Sequence, residues 1–135
     1  MTYKTYDDWL TQIPKSITQD PLWEFETYRK APFLSDLAWL DSEKLLADPR
    51  GTRTAWQLIE SVGSIAANIE EGYGRGFGKD YARFLRIALG SAREPRGWYF
   101  RGRHVLDEEV VKHRMELANE IIANLVITSD QQRRK

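Results

Sequence analysis

The chain has 135 residues, twenty Lys/Arg against twenty Asp/Glu, a formal net charge of zero, and no cysteine. That length suits one domain with a real hydrophobic core. The charge balance argues against gripping nucleic acid or an anionic membrane by bulk charge, and the missing cysteines remove disulfides and thiolate metal sites. No apolar run approaches the roughly eighteen residues of a membrane span, and the opening MTYKTYDDWL carries acids where a signal peptide needs an apolar stretch. The expectation is a cytoplasmic protein with no membrane segment.

Residues 1–20 read as an irregular arm with at most one turn of helix, laid across the body through Trp9 and Ile13 and punctuated by Pro14 and Pro21. From Pro21 the pattern turns helical. Asp20 can cap, Pro21 suits the first helical position, and Glu24 and Glu26 favour the positive end of the dipole. Leu22, Phe25, Tyr28, Phe33, Leu34, Leu37, Ala38 and Leu45 hold one face to about Leu46, so a single helix is expected. Pro32 should kink it or divide it in two, because an interior proline deletes a hydrogen bond and clashes with the preceding turn, at roughly 3 kcal/mol; the kink is favoured, since the apolar face continues past it. Asp48-Pro49-Arg50-Gly51 is a stop and turn.

A second helix is expected over 52–71, with Ala55, Leu58, Ile59, Val62, Ile65, Ala66 and Ile69 inward. Gly63, Ser64, Ala66 and Ala67 are small enough for another helix to approach closely. Gly72 stands where a helix end favours positive φ, and Gly74, Gly76 and Gly78 prevent an immediate restart. Asp80 is a candidate N-cap for a third helix over 79–106, whose apolar line runs through Phe84, Ala88, Ala92, Tyr99 and Leu106 with Pro95 in the middle. A fourth helix is expected over 108–127 along Val111, Met115, Ala118, Ile122 and Leu125, and 128–135 reads as a frayed polar tail. No segment alternates like a half-buried strand. The fold class is therefore all-α, an antiparallel up-down four-helix bundle over 21–127. Its apolar stripes read as too wide for one subunit to cover.

The stretch SIAANIEEGYGR at 64–75, followed by FLRIALGSARE at 84–94, resembles the bacterial proteins encoded in intervening sequences of 23S ribosomal RNA genes. The shared positions are Ser64, Ile65, Asn68, Ile69, Glu71, Gly72, Gly74 and Arg75, then Phe84, Leu85, Ile87, Ala88, Gly90, Ser91, Ala92 and Glu94. Glu70 replaces the alanine usual in that pattern. The resemblance covers roughly 21–127 and implies a four-helix bundle assembled into a ring, commonly a homopentamer. Relatives that serve diversity-generating retroelements imply a second role, an accessory that binds nucleic acid and partners a reverse transcriptase; those relatives are strongly basic and this chain is not.

Asn68 and Glu71 are three apart and share a helix face beside Gly72. Either they form a polar recognition pocket with Arg75 as counter-charge, or they bond the following loop and fix the helix crossing. A buried carboxylate there would need an arginine, Arg75 or Arg86. Charge is uneven along the chain. Residues 80–106 hold Arg83, Arg86, Arg93, Arg96, Arg101 and Arg103 against only Asp80 and Glu94. These arginines could read phosphates, with Trp98, Tyr99 and Phe100 for stacking, or pair with Asp36, Asp41 and Glu43 of the first helix.

Enzyme signatures are missing. A di-iron bundle wants Glu-x-x-His on two helices, but the residues three before His104 and His113 are Arg101 and Val110. Glu109 and His113 have no third ligand in view, and GYGRGFGK lacks the Gly-Lys-Ser/Thr ending and the preceding strand of a P-loop. The expectation is a non-enzymatic structural and interaction protein without cofactor or metal, its partner being itself. Binding RNA or DNA, or a nucleic-acid enzyme, is the alternative.

Overall fold

Thr5 and two proline stops shape the start of the chain. In the computed structural model, which describes residues 5–135, Thr5 Oγ1 accepts a hydrogen bond from the Asp8 amide and opens α1 (Tyr6–Leu10). Asp7 and Asp8 sit at the positive end of its dipole. After Pro14 comes α2 (Lys15–Thr18). Residues 1–4 of the arm lie outside the described residues; the rest of it is two short helices rather than irregular chain, and it is fastened down. Trp9 is 1% exposed, its Nε1 donates to Asp36 at 2.8 Å, and its ring lies 5.3 Å from Phe33 and 6.1 Å from Trp23.

Asp20 does cap, accepting from the Leu22 amide, but Pro21–Glu24 makes only a 3-10 turn. Phe25 leaves helical geometry (φ −78°, ψ 102°), and α3 runs from Glu26 to Leu46. The single helix expected here breaks at Phe25, where the bend turns buried Leu22 inward and brings Trp23 edge-on to Tyr28; α3 continues through Pro32. Asp48 then accepts from the Arg50 amide and closes a 3-10 turn at Pro49–Gly51.

Next comes α4 (Thr52–Gly74), three residues longer than expected, and α5 (Lys79–Arg101). Gly72 lies inside α4, and the positive φ values belong to Gly76 (114°) and Gly78 (83°). Close approach requires a glycine at 72. A Cβ there would stand 2.6 Å from Phe84 Cβ and 3.0 Å from Tyr81 Cδ1. Gly78, not Asp80, precedes α5, and Asp80 lies in its first turn. This helix also passes through its proline, the buried Pro95, and ends at Arg101; Gly102–His104 is a 3-10 turn.

The last helix, α6 (Glu108–Arg133), absorbs the segment expected to fray. Ser129 is 1% exposed and Gln132 Oε1 accepts from the Gly78 amide at 2.9 Å, so the last turns of α6 brace the α4–α5 loop.

Among the described residues the protein is all-α, with no strand. The four long helices pack α3 on α4, α4 on α5, α5 on α6, and α3 on α6. Leu34, Leu45, Leu58, Ile65, Leu85, Ile121 and Leu125 fill the space between them at 1% exposure or less. Each such side chain contributes about 1.5–3 kcal/mol of burial. The stripes that read as too wide for one subunit are closed within the chain, because Trp9 of the arm and Leu22 of the 3-10 turn join the core. What stays exposed is a different set, led by Phe77, Trp39, Trp56, Ile127 and Phe100. No helix among the described residues is long and apolar enough to cross a membrane.

Candidate interaction surface

The motif residues do not converge on one pocket. Asn68 points back along α4, donating from Nδ2 to the Ser64 carbonyl at 2.8 Å and to Ser64 Oγ at 3.0 Å. Ser64 Oγ in turn meets Ser91 Oγ at 2.8 Å, so Asn68 braces a hydrogen bond that ties α4 to α5. Glu71 faces solvent and accepts from Arg75 Nε and Nη2 at 3.2 and 3.1 Å; Arg75 also reaches Asp80 at 3.9 Å. With both partners about half exposed, this pair is worth about 0–1 kcal/mol. Arg86 is exposed on α5 and takes no part. The unusual Glu70 accepts the Tyr28 hydroxyl, joining α4 to α3. Burial, and then this bond, raise the Tyr28 hydroxyl above its ordinary pKa.

A buried network that sequence spacing did not reveal lies at the other half of the bundle. Arg114 of α6 grips Asp41 of α3 with Nε on Oδ2 at 2.8 Å and Nη2 on Oδ1 at 3.2 Å, a bidentate fork. The Tyr99 hydroxyl of α5 donates to the same Oδ2 at 2.7 Å. Side chains of Arg114 and Asp41 are 14% and 9% exposed, and Tyr99 is fully buried. Burial, then the Asp41 charge, pushes the Tyr99 hydroxyl well up. Burial works against the Arg114 cation, but its bonds to Asp41 outweigh that and the net direction is up. Beside them His113 is held below its ordinary value by burial and then by the Arg114 charge. The network joins three helices at one level of the bundle.

At that level the surface carries two apolar features. The first is a pair of tryptophans on the α3–α4 shoulder, Trp39 at 63% exposure and Trp56 at 57%. Trp56, Gly63 and Glu70 are seven apart and form one row on α4, whose Glu70 end touches Tyr28 of α3. A Cβ on Gly63 would meet nothing within 4 Å, which leaves the row open. The second feature is a groove of about 610 Å³ between the end of α5 and the start of α6, lined by Phe100, Val111 and Met115 and by two cations and two acids, Arg103, Lys112, Glu108 and Glu116. The Arg103 guanidinium lies 4.0 Å from the Phe100 ring centre.

The α5 arginines divide. Arg83 pairs with Asp80 at 3.2 Å and covers the Phe84 ring at 4.5 Å. Arg96 donates to Asn119, Arg101 covers Trp98, and Arg103 donates to the Phe100 carbonyl. Arg93 is exposed. The intrachain pairing with Asp36 and Asp41 does not form, because Trp9 holds the first and Arg114 and Tyr99 hold the second. Tyr99 is not available for stacking either. Lys79, Arg86, Arg93 and Phe100, seven apart, form one exposed row along α5. Among the described residues no group of three or more His, Asp or Glu side chains converges as a metal site.

No curated protein and no solved structure matches this chain. A family model described as 23S rRNA-intervening sequence protein matches residues 24–126, which include all four long helices up to the last turns of α6. The residues that carried the resemblance, Ser64 to Arg75 and Phe84 to Glu94, form the α4–α5 hairpin inside that span. The chain belongs to the family of 23S rRNA-intervening sequence proteins.

Proposed function

We propose that this protein is a non-enzymatic, cytoplasmic interaction module, an antiparallel up-down four-helix bundle that works as a homo-oligomer, in the ring of five that the family resemblance implies. The order of the cross-helix pairs supports the topology. As numbers rise on one helix they fall on the next: Ser64 with Ser91 then Gly72 beside Phe84, and Lys30 with Glu120 then Lys44 with Asp107. The observation that carries the self-association is the bare tryptophan pair, Trp39 and Trp56. Exposed indoles are characteristic of contact surfaces, where Trp is enriched. Light scattering at micromolar concentration tests the reading. A mass several times 15.8 kDa is expected, and a monomer refutes it.

A second role, binding RNA or DNA or partnering a nucleic-acid enzyme, is favoured by one observation. Lys79, Arg86 and Arg93 share a face of α5, and no carboxylate lies within 4.0 Å of any of them among the described residues. Arg96 and Arg103 flank the row. Arginine forks suit phosphate oxygens. Anisotropy titration with single-stranded RNA at low salt is the test. Three phosphate contacts give a slope of log affinity against log salt of about −2. R86E/R93E should abolish the binding, and no binding by the parent protein refutes this role.

A further inference from the structure

A cleft of about 440 Å³ opens where the arm meets α3 and α4. Ile17 of α2, Asp20 and Leu22 of the 3-10 turn, Tyr28 of α3, and Glu70 and Tyr73 of α4 line it. Its size falls within the roughly 300–1,000 Å³ of small-molecule sites, and its walls have their character, apolar and aromatic with a few polar groups.

The sign of its charge sets it apart. Two carboxylates line the cleft with no Lys, Arg or His, and the remaining rim residues, Ser16 and Gly74, are neutral. Each carboxylate is anchored through one oxygen. Asp20 Oδ1 accepts from the Leu22 amide at 2.9 Å, and Glu70 Oε2 accepts the Tyr28 hydroxyl at 2.5 Å. Among the described residues no cationic nitrogen lies within 4.0 Å of either acid. Both bear on one point: burial, then the Glu70 bond and charge, then the Asp20 charge raise the Tyr28 hydroxyl.

An anion is repelled by this lining. A bare metal ion finds no cage, since no three His, Asp or Glu side chains among the described residues converge on one. The rest of the wall suits an organic cation. Leu22 and Ile17 offer aliphatic surface, and the Tyr28 and Tyr73 rings offer π-systems that attract ammonium groups. Both rings are propped, Tyr73 edge-on to Tyr81 at 6.0 Å between centres and Tyr28 edge-on to Trp23 at 6.3 Å. Two positive charges joined by methylenes match two carboxylates joined by apolar wall.

We propose that this cleft binds a linear aliphatic polyamine, its ammonium groups on Asp20 and Glu70 and its methylene chain along Leu22, Ile17 and the tyrosine rings. Glu70 stands where the family pattern has alanine, so the site belongs to this chain rather than to that pattern. It shares no residue with the tryptophan pair or the α5 arginine row, and it stands or falls apart from self-association.

Isothermal titration calorimetry of the full chain with spermidine at low ionic strength tests this, with circular dichroism to confirm the helicity of each variant. One saturable site is expected. E70Q and D20N remove charge yet keep the bonds to Tyr28 and to the Leu22 amide, because an amide oxygen still accepts. Each should weaken binding about three- to fivefold, the loss of one exposed ion pair. E71Q is the control: Glu71 is the next residue but faces solvent on Arg75, and its loss should leave binding unchanged. n-Butylamine, with one charge, should bind several-fold more weakly than spermidine, and magnesium chloride should displace spermidine no better than sodium chloride of equal ionic strength. Should D20N lose helicity, E70Q against E71Q decides alone. No saturable heat, an E71Q loss equal to that of E70Q, n-butylamine binding as tightly as spermidine, or displacement by magnesium overturns the site.

Discussion

Substituting Gly72 separates two explanations of the glycine motif. In this fold Gly72 is helical, and its missing side chain lets α4 and α5 close together. Adding a methyl group puts Cβ 2.6 Å from Phe84 Cβ, about an ångström inside ordinary contact, and 3.0 Å from a Tyr81 ring carbon. Phe84 Cβ is fixed to its backbone and cannot swing away, so the helices must part. Overpacking of this kind costs about 1–3 kcal/mol. Replacing glycine by alanine in a helix returns up to about 1 kcal/mol of propensity. G72A should therefore lose about 1–2 kcal/mol and G72V, bulkier and β-branched, about 3 kcal/mol. Gly63 is the control: it is helical, exposed and has nothing near its Cβ, so G63A should gain about 0.5–1 kcal/mol. Urea unfolding followed by circular dichroism measures all three. A G72A as stable as G63A would falsify the close-packing explanation.

Three further outcomes follow from the geometry. Asp41→Ala leaves the Arg114 cation buried and unpaired, so unfolding should become easier by about 3–5 kcal/mol, read from the denaturant midpoint; a loss below about 1 kcal/mol would show that the network contributes little. Burial raises Tyr81 to about 12 and shifts Tyr28 and Tyr99 in the same direction. Stability from these neutral phenols is complete below pH 10 and is lost as pH rises through about 12, so Y81F should resist alkaline unfolding better than the parent, and an unchanged profile would contradict this. His113 is shifted the other way, downward, so the unfolded chain takes up its proton first on acidification; stability should fall as pH drops below about 6.5, and H113Q should flatten that fall, an unaltered acid limb counting against it.

The long helices are legible because each carries its apolar residues at one period; α4 to α6 begin where expected, while α3 starts five residues late, α5 stops five early and α6 runs six past its expected end. The misreadings share a cause. Local pattern alone suggests positive φ at Gly72 and unbroken helix at Phe25, while tertiary contact is what the structure shows at both: Phe84 sets what fits at 72, and the bend at 25 buries Leu22 and sets Trp23 against Tyr28. The polar run after Ile127 looked like a tail because its role, bracing Gly78 through Gln132, depends on a residue far away in sequence. Distance also hid the network of Asp41, Tyr99 and Arg114, since nothing local distinguishes Asp41 from a solvated helix acid. Of the expected site residues, Asn68 and the Glu71–Arg75 pair act within the α4–α5 hairpin, whereas Arg86 and Arg93 stay bare on α5.

The mass of the native chain in solution bears most directly on self-association through the tryptophan shoulder. Sedimentation equilibrium across a range of micromolar concentrations should give a discrete multiple of 15.8 kDa, reduced to that value by W39E/W56E. A single species of 15.8 kDa at every concentration would leave Trp39 and Trp56 as plain surface residues and contradict the assembly.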